Sequence, residues 1–198
     1  MKALFIVLEG IDGSGKTTLA QRLVTLLRNA AFTAEPTAGP VGEALRSGAL
    51  GEIPPAAEAL LFAADRAVHT EEIKKLLAAD CSVICDRYFA STVAYQSAAG
   101  DGEADEAWLE TIQARSVIQP DITLLLDLDP ATAVARVDAR HEGRSRFEKQ
   151  AYLGRVREAY LRLAARHGYC VIDASQSADG IFAAAVSALK ERGLYASK

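Results

Sequence analysis

Apolar residues gather into short runs at 4–8, more weakly at 32–34, then at 82–85, 122–128 and 169–172. Each is too short for a packed helix, and longer stretches of helical spacing lie between them. That alternation predicts an α/β chain with three layers, a five-stranded parallel sheet with helices on both faces. Leu19, Leu23, Leu26 and Leu27 fall at i, i+4, i+7 and i+8, which stripes one face of a helix and turns Arg22 and Arg28 outward. Pro55 can open a helix running through Leu60, Leu61 and Val68, and Pro130 another after the fourth strand; Ile181, Phe182, Val186 and Leu189 stripe the last helix. Loops are expected at 35–40, 48–54, 98–103 and 141–146. In an open parallel sheet ligands bind beyond the carboxyl ends of the strands, which directs attention to the first, second and fourth of these.

Length and charge narrow the picture. The 198 residues, half of them hydrophobic, suffice for a single domain over residues 1–198. A net charge of −4 argues against a general nucleic-acid binder, which needs a cationic surplus. Met1-Lys2 leads straight into a strand-like run, and no apolar segment approaches the ~20 residues that span a bilayer, so a cytoplasmic protein without a membrane partner is expected. Cys81, Cys85 and Cys170 lie in or beside apolar stretches and read as buried reduced thiols. His69, His141 and His167 lack metal-ligand spacing, and no zinc site is assigned.

The chemistry begins after the first run. Gly10-Ile11-Asp12-Gly13-Ser14-Gly15-Lys16-Thr17 is a complete G-x-x-x-x-G-K-T between a strand and a helix. Glycines let successive N–H groups turn toward phosphate oxygens, the helix start adds its positive end, Lys16 reaches the outer phosphates, and the Thr17 hydroxyl can hold Mg²⁺. Gly10, Gly13, Ser14, Gly15, Lys16, Thr17 and Thr18 are therefore the candidate triphosphate site. At the end of the third run stand Asp86-Arg87-Tyr88, followed by Ser91, Tyr95 and Gln96. A carboxylate there can meet Mg²⁺ or its water shell, leaving Arg87 to grip a phosphate. The alternative is that Asp86 caps a helix start and Arg87 is solvated.

These residues resemble the thymidylate kinase family. The opening segment 5–18, Leu61-Phe62-Ala63-Ala64-Asp65-Arg66-Ala67-Val68-His69, and Asp86-Arg87-Tyr88 with Ser91, Ala94, Tyr95 and Gln96 are similar to its signatures. Segment 119–127 and Arg146-Phe147-Glu148 extend the match almost to the last helix. The resemblance implies a P-loop kinase fold and transfer of the ATP γ-phosphoryl group to dTMP, with Mg²⁺, in a homodimer. It implies that Phe62 stacks on thymine, Arg66 hydrogen-bonds a thymine carbonyl, and Tyr95 leaves no room for a ribose hydroxyl. Asp12 would lie near the sugar 3′-hydroxyl, and Arg46 and Arg87 would hold the acceptor phosphate. Glu35, Ser91 and Gln96 complete that site. Core packing for Phe62 and a solvated helix charge for Arg46 are the competing readings.

The phosphate loop contains no arginine, because Asp12, Gly13 and Ser14 fill its variable positions. Resemblance places a mobile lid at about 140–150, and Arg140, Arg144 and Arg146, around Gly143, are candidates for the missing charge in the bacterial-type arrangement. A basic helix face is the alternative. Lys16, Asp12, Arg87 and Arg146 are the expected catalytic residues, with Arg140 and Arg144 on ATP and Thr17 and Asp86 on the metal. Two departures stand out: Ala34-Glu35-Pro36-Thr37-Ala38 replaces the usual Arg-Glu-Pro-Gly-Gly, and Ser145 stands where an Asp is common. A deoxyribonucleoside kinase shares the Glu-Pro and Asp-Arg features, and a nucleotide-binding module without an acceptor is the rival from another class. A GTPase is excluded, since the lone asparagine, Asn29, is followed by alanine.

Overall fold

Alternate residues of β1 (Phe5–Glu9) serve two different layers. Ile6 and Leu8 pack in one cluster with Ile84, Ile122 and Leu124, while Phe5 and Val7 pack with Val83 and Cys85. The register explains it, because Ile6 pairs with both Ile84 and Ile122 and therefore shares their face. These strands are apolar throughout because both faces are covered. The computed structural model describes residues 2–99, 105–138 and 146–196. Among them the strands β1, β2 (Ala30–Ala34), β3 (Ser82–Asp86), β4 (Ile122–Asp127) and β5 (Cys170–Asp173) form one all-parallel sheet in the order β2-β3-β1-β4-β5. β2 is an edge strand with Phe32 46% exposed, which is why its apolar run is weak.

The helices are α1 (Lys16–Leu26), α2 (Pro40–Ser47), α3 (Pro55–Ala78), α4 (Phe89–Ala99), α5 (Glu106–Gln113), α6 (Pro130–Asp138), α7 (Arg146–His167) and α8 (Ala178–Glu191). Leu19 and Leu23 of α1 and Ile181 and Leu189 of α8 join the Ile6–Leu8 cluster. Ile73, Leu76 and Leu77 of α3 cover the Phe5–Val7 side. No helix among the described residues is long and apolar enough to cross a membrane. Cys85 is buried, whereas the free thiols Cys81 and Cys170 are only half-buried.

Three expectations change. The stripe Leu60, Leu61, Val68 is not the inward face of α3: Leu60 is 52% and Val68 63% exposed. Ala59, Ala63, Arg66, Thr70 and Ile73 face inward instead, at helical spacing, so a polar functional face displaces the larger hydrophobes. Arg22 does not simply point to water. Its guanidinium lies 4.1 Å from the Phe182 ring centroid and 2.9 Å from Asp179, tying α1 to α8. The short helices α2 and α5 go beyond the predicted elements.

The phosphate loop is pressed against the sheet at Gly10. Its φ is +140°, and a Cβ there would lie 2.5 Å from the Leu126 carbonyl oxygen in β4. Gly51 also has a positive φ, +63°, but nothing stands within 4 Å of a Cβ. Urea unfolding should therefore show Gly10→Ala destabilised by about 2 kcal/mol or more and Gly51→Ala by only ~1 kcal/mol. Equal losses would contradict the tight loop–sheet approach.

Candidate functional site

The turn after β1 carries Lys16 back across its own loop. The Nζ donates to the carbonyls of Gly10 at 2.9 Å and Ile11 at 3.0 Å, and the residue is 6% exposed. Burial, reinforced by the charge of Arg87, pushes its ammonium down to about 8 despite Asp86, Asp12 and Glu9 nearby. A phosphate anion would reverse that pressure. Gly15 takes a left-handed conformation at the start of α1, whose leading N–H groups lack carbonyl partners within the helix and face the same chamber. That chamber, about 400 Å³, is lined by Asp12, Gly13, Gly15, Lys16, Thr17, Thr18, Ala34, Glu35, Asp86 and Arg87. Thr17 Oγ1 donates to Asp86 Oδ2 at 2.8 Å, and the buried Asp86 Oδ1 has no partner. A hydroxyl and a carboxylate with an unused oxygen are the hard donors that suit Mg²⁺. Gly10 and Ser14 do not line this chamber; a Cβ on Gly10 would lie 3.0 Å from the buried Ser14 Oγ, which also lacks a partner.

Beside this chamber opens a second cavity of about 320 Å³, lined by Asp12, Glu35, Pro36, Glu58, Phe62, Arg66, Arg87, Tyr88, Ser91, Thr92, Tyr95, Gln96 and Tyr152. Two cations frame it. Arg66 is 1% exposed: its Nε donates to Glu35 Oε2 at 2.8 Å, one Nη to Thr92 Oγ1 at 3.1 Å, and the other to Gln113 Oε1. Glu35 Oε1 meets His69 Nδ1 at 2.8 Å, and His69 Nε2 lies 2.6 Å from Thr33 Oγ1. Arg66 is thus pinned at the cavity wall with few ways to turn. Gln96 donates its Nε2 to Glu58 at 3.0 Å, leaving its Oε1 buried without a partner.

Arg87 lines both cavities. It adopts φ +70°, a left-handed conformation that costs a non-glycine residue about 1–2 kcal/mol. Its Nη2 donates to Asp12 at 2.6 Å and to the Tyr95 hydroxyl at 3.1 Å, with the guanidinium 4.8 Å from the Tyr95 ring centroid. Burial opposes ionisation of Asp12, but Arg87 and Lys16 outweigh it and hold the carboxyl below its ordinary 3.8.

Not every candidate joins this assembly. Arg46 is exposed, lines neither cavity, and donates to the carbonyls of Pro36, at 2.5 Å, and Thr37. The reason is local: the Thr37 amide and hydroxyl are clamped by Asp65 at 2.7 and 2.6 Å, so the 36–37 carbonyls turn toward α2. Arg140 and Arg144 lie outside the described residues. Arg146 opens α7, and its side chain lies outside them as well. Sequence reasoning missed Glu9, Tyr160, Tyr152, Gln113, Thr92, Asp65 and Arg136. Tyr152 donates its hydroxyl to the Tyr95 carbonyl at 3.1 Å, and Arg136 donates to the carbonyls of Gly13 and Ala174 at 3.1 and 3.2 Å. Three of these left a trace in the sequence: Glu9 as a lone carboxylate ending an apolar strand, Asp65 within the resembling segment 61–69, and Arg136 at the head of the basic run that leads to Arg146.

Comparison with known proteins agrees with this assembly. A model of the family described as thymidylate kinase matches residues 8–184. The chain is 43% identical over 194 residues to a probable thymidylate kinase of Pyrobaculum calidifontis, covering 96% of this chain and 97% of that one. A thymidylate kinase of Xanthomonas oryzae pv. oryzae is 43% identical over 201 residues, covering 96% and 86%. One of Bifidobacterium longum is 40% identical over 205 residues, covering 96% and 99%. With a P-loop chamber and a matching sequence over nearly its whole length, the chain belongs to the thymidylate kinase family of phosphotransferases.

Proposed function

We propose that the protein transfers the γ-phosphoryl group of ATP to dTMP, giving dTDP and ADP. The observation that carries this reading is the junction of the two cavities: the phosphate-loop chamber and the aromatic cavity share Asp12, Glu35 and Arg87. A donor phosphate held at Lys16 and an acceptor phosphate held at Arg87 then approach each other across one short gap. Holding both in line supplies most of what phosphoryl transfer needs, since its chemistry is dominated by positioning and charge stabilisation. Phe62 offers its ring to thymine, and the pinned Arg66 offers a donor to a base carbonyl. Tyr95, fixed by Arg87 and Tyr152, fills the space that a ribose 2′-hydroxyl needs. A cleft between Arg136 and Gln176, beside Ser14 and Thr18, suits the adenine of ATP.

Thr17 and Asp86 would hold Mg²⁺, a reading supported by the unused Asp86 Oδ1. The ion would neutralise developing charge on the bridging phosphate oxygens. Asp12 orients Arg87 and lies within reach of the sugar 3′-hydroxyl. We read residues 140–150 as a lid belonging to the same single domain, and Arg140, Arg144 and Arg146 as its cations toward ATP. Exposed Leu60 and Val68 on the outer face of α3 support a homodimer. Three free thiols accord with a reducing cytoplasm.

Coupled ADP-release assays decide between a monophosphate kinase and a nucleoside kinase. With Arg46 turned away, Arg87 is the main protein contact for the acceptor phosphate. Thymidine should therefore be worse than dTMP by roughly 10- to 100-fold, the worth of one charge-assisted hydrogen bond of ~1.5–3 kcal/mol. Equal turnover would establish the nucleoside kinase instead.

Tyr95 separates two roles. Tyr95→Phe keeps the ring and loses only the hydroxyl with its contacts to Arg87 and to the Asp12 backbone, so preference for deoxyribose should survive. Tyr95→Ala should raise relative activity on the ribonucleotide. If Tyr95→Ala lowers both substrates in proportion, the ring is packing rather than a steric filter.

The lid arginines should act on charge that appears during transfer. At least one of Arg140→Ala, Arg144→Ala and Arg146→Ala should lower kcat and kcat/KM together by about 10² to 10³, with KM for ATP little changed. If all three stay within a few-fold of wild type in steady-state kinetics, the transferring phosphoryl group draws its charge from elsewhere.

A further inference from the structure

Glu9, the last residue of β1, is fully buried and has no part in the transfer as proposed above. Its carboxylate accepts four hydrogen bonds. Oε1 takes the backbone N–H groups of Tyr88 at 2.9 Å and Ser91 at 3.3 Å; Oε2 takes the Ser91 hydroxyl at 2.6 Å and the Tyr160 hydroxyl at 3.1 Å. The same two hydroxyls face Arg87, whose Nη1 lies 3.2 Å from Ser91 Oγ and 3.4 Å from Tyr160 OH.

Proton counting fixes the direction of these bonds. Each hydroxyl has one proton and two lone pairs, a carboxylate only accepts, and a guanidinium only donates. Ser91 and Tyr160 must therefore direct their protons toward Glu9, or along the 2.7 Å contact between them, and their lone pairs toward Arg87. Asp12 and Tyr95 hold the other Nη from the opposite side.

We propose that Glu9 is a positioning residue that, through the hydroxyls of Ser91 and Tyr160, fixes the guanidinium of Arg87 for the acceptor phosphate. This rests on the reading of Arg87 as the ligand of that phosphate. A neutral carboxyl would become a donor, so that three protons close a ring over Glu9, Ser91 and Tyr160, and the negative charge that draws Arg87 toward the two hydroxyls would be lost. The charged and titratable neighbours of Glu9 are Arg87 and Tyr88 after β3, Lys16 at the start of α1, Cys85 in β3, Tyr160 in α7 and Tyr169 before β5. Burial raises the Glu9 carboxyl to about 7, against the lowering effect of its donors and of Arg87. Acceptor affinity should accordingly weaken as pH falls through that value.

The test is Glu9→Gln, which keeps the shape while removing the charge and adding a donor. Expected is a rise of about tenfold in KM and Kd for dTMP, with KM for ATP within about twofold of wild type. The fall in dTMP affinity from about pH 8 to 6 should be shallower in the variant than in wild type, what is left being the protonation of the phosphate itself near ~6. Folding gives a readout independent of turnover. In the folded chain Glu9 keeps its proton up to about 7, against 4.5 unfolded, so the folded state binds more protons between these values. Its contribution to stability therefore falls as pH rises from 4.5 to about 7, and Glu9→Gln should remove that slope. Tyr160→Phe deletes one of the two relays while leaving the carboxylate, and should raise KM for dTMP by a smaller factor with the same sparing of ATP. If Glu9→Gln does not fold, that second variant decides.

Wild-type affinity and pH profile in Glu9→Gln, or equal losses for dTMP and ATP in either variant, would overturn the proposal. Thymidine turned over as well as dTMP by the wild-type protein would instead overturn the reading of the acceptor, a separate result.

Discussion

A guanidinium leaves water at a prohibitive cost unless acceptors replace the hydration it loses, and around Arg87 the chain gathers them from widely separated segments. Asp12 comes from the phosphate loop, Ser91 and Tyr95 from α4, and Tyr160 from α7, with Glu9 of β1 behind the two hydroxyls. The left-handed backbone at Arg87 is strained, and it persists because these contacts over-determine it. Where that residue sits, the phosphate-loop chamber and the aromatic cavity meet. The rest of the sheet serves chiefly to bring the ends of β1 and β3 side by side, which their parallel register does with Leu8 opposite Asp86.

Another cation, fully buried, shapes α3. Arg66 requires Glu35, Gln113 and Thr92 as partners, and Glu35 in turn engages His69. Buried ion pairs of this sort contribute little net stability, but they hold a donor in one orientation at the cavity wall. The inner face of α3 is polar for that reason, and Leu60 and Val68 are left outside. A helix that reads as simply amphipathic is thus turned relative to its hydrophobic stripe by the site it carries.

The loop after β2 shows how one substitution pattern is absorbed. Thr37 occupies a position where the resemblance leads one to expect glycine, and its side chain and amide both bind Asp65. Arg46 then satisfies the carbonyls of residues 36 and 37 instead of reaching a phosphate. The same clamp leaves Glu35 free to face Arg66 and His69.

The sequence by itself determined the strands, their parallel pairing, the phosphate loop, and the paired Thr17 and Asp86, because each depends on local spacing or on a strand end. Phe62, Tyr95 and Gln96 were also legible, through resemblance, and they do line one cavity. Tertiary structure alone decided which face of α3 is buried, where Arg46 points, and that Glu9 and Tyr160, 151 positions apart, share two hydroxyl-mediated contacts with Arg87. The physical reason is the range of the interaction. Periodicity and turn chemistry act over a few residues, whereas a buried charge finds its acceptors wherever the folded chain brings them, and nothing in the spacing of those residues encodes the meeting.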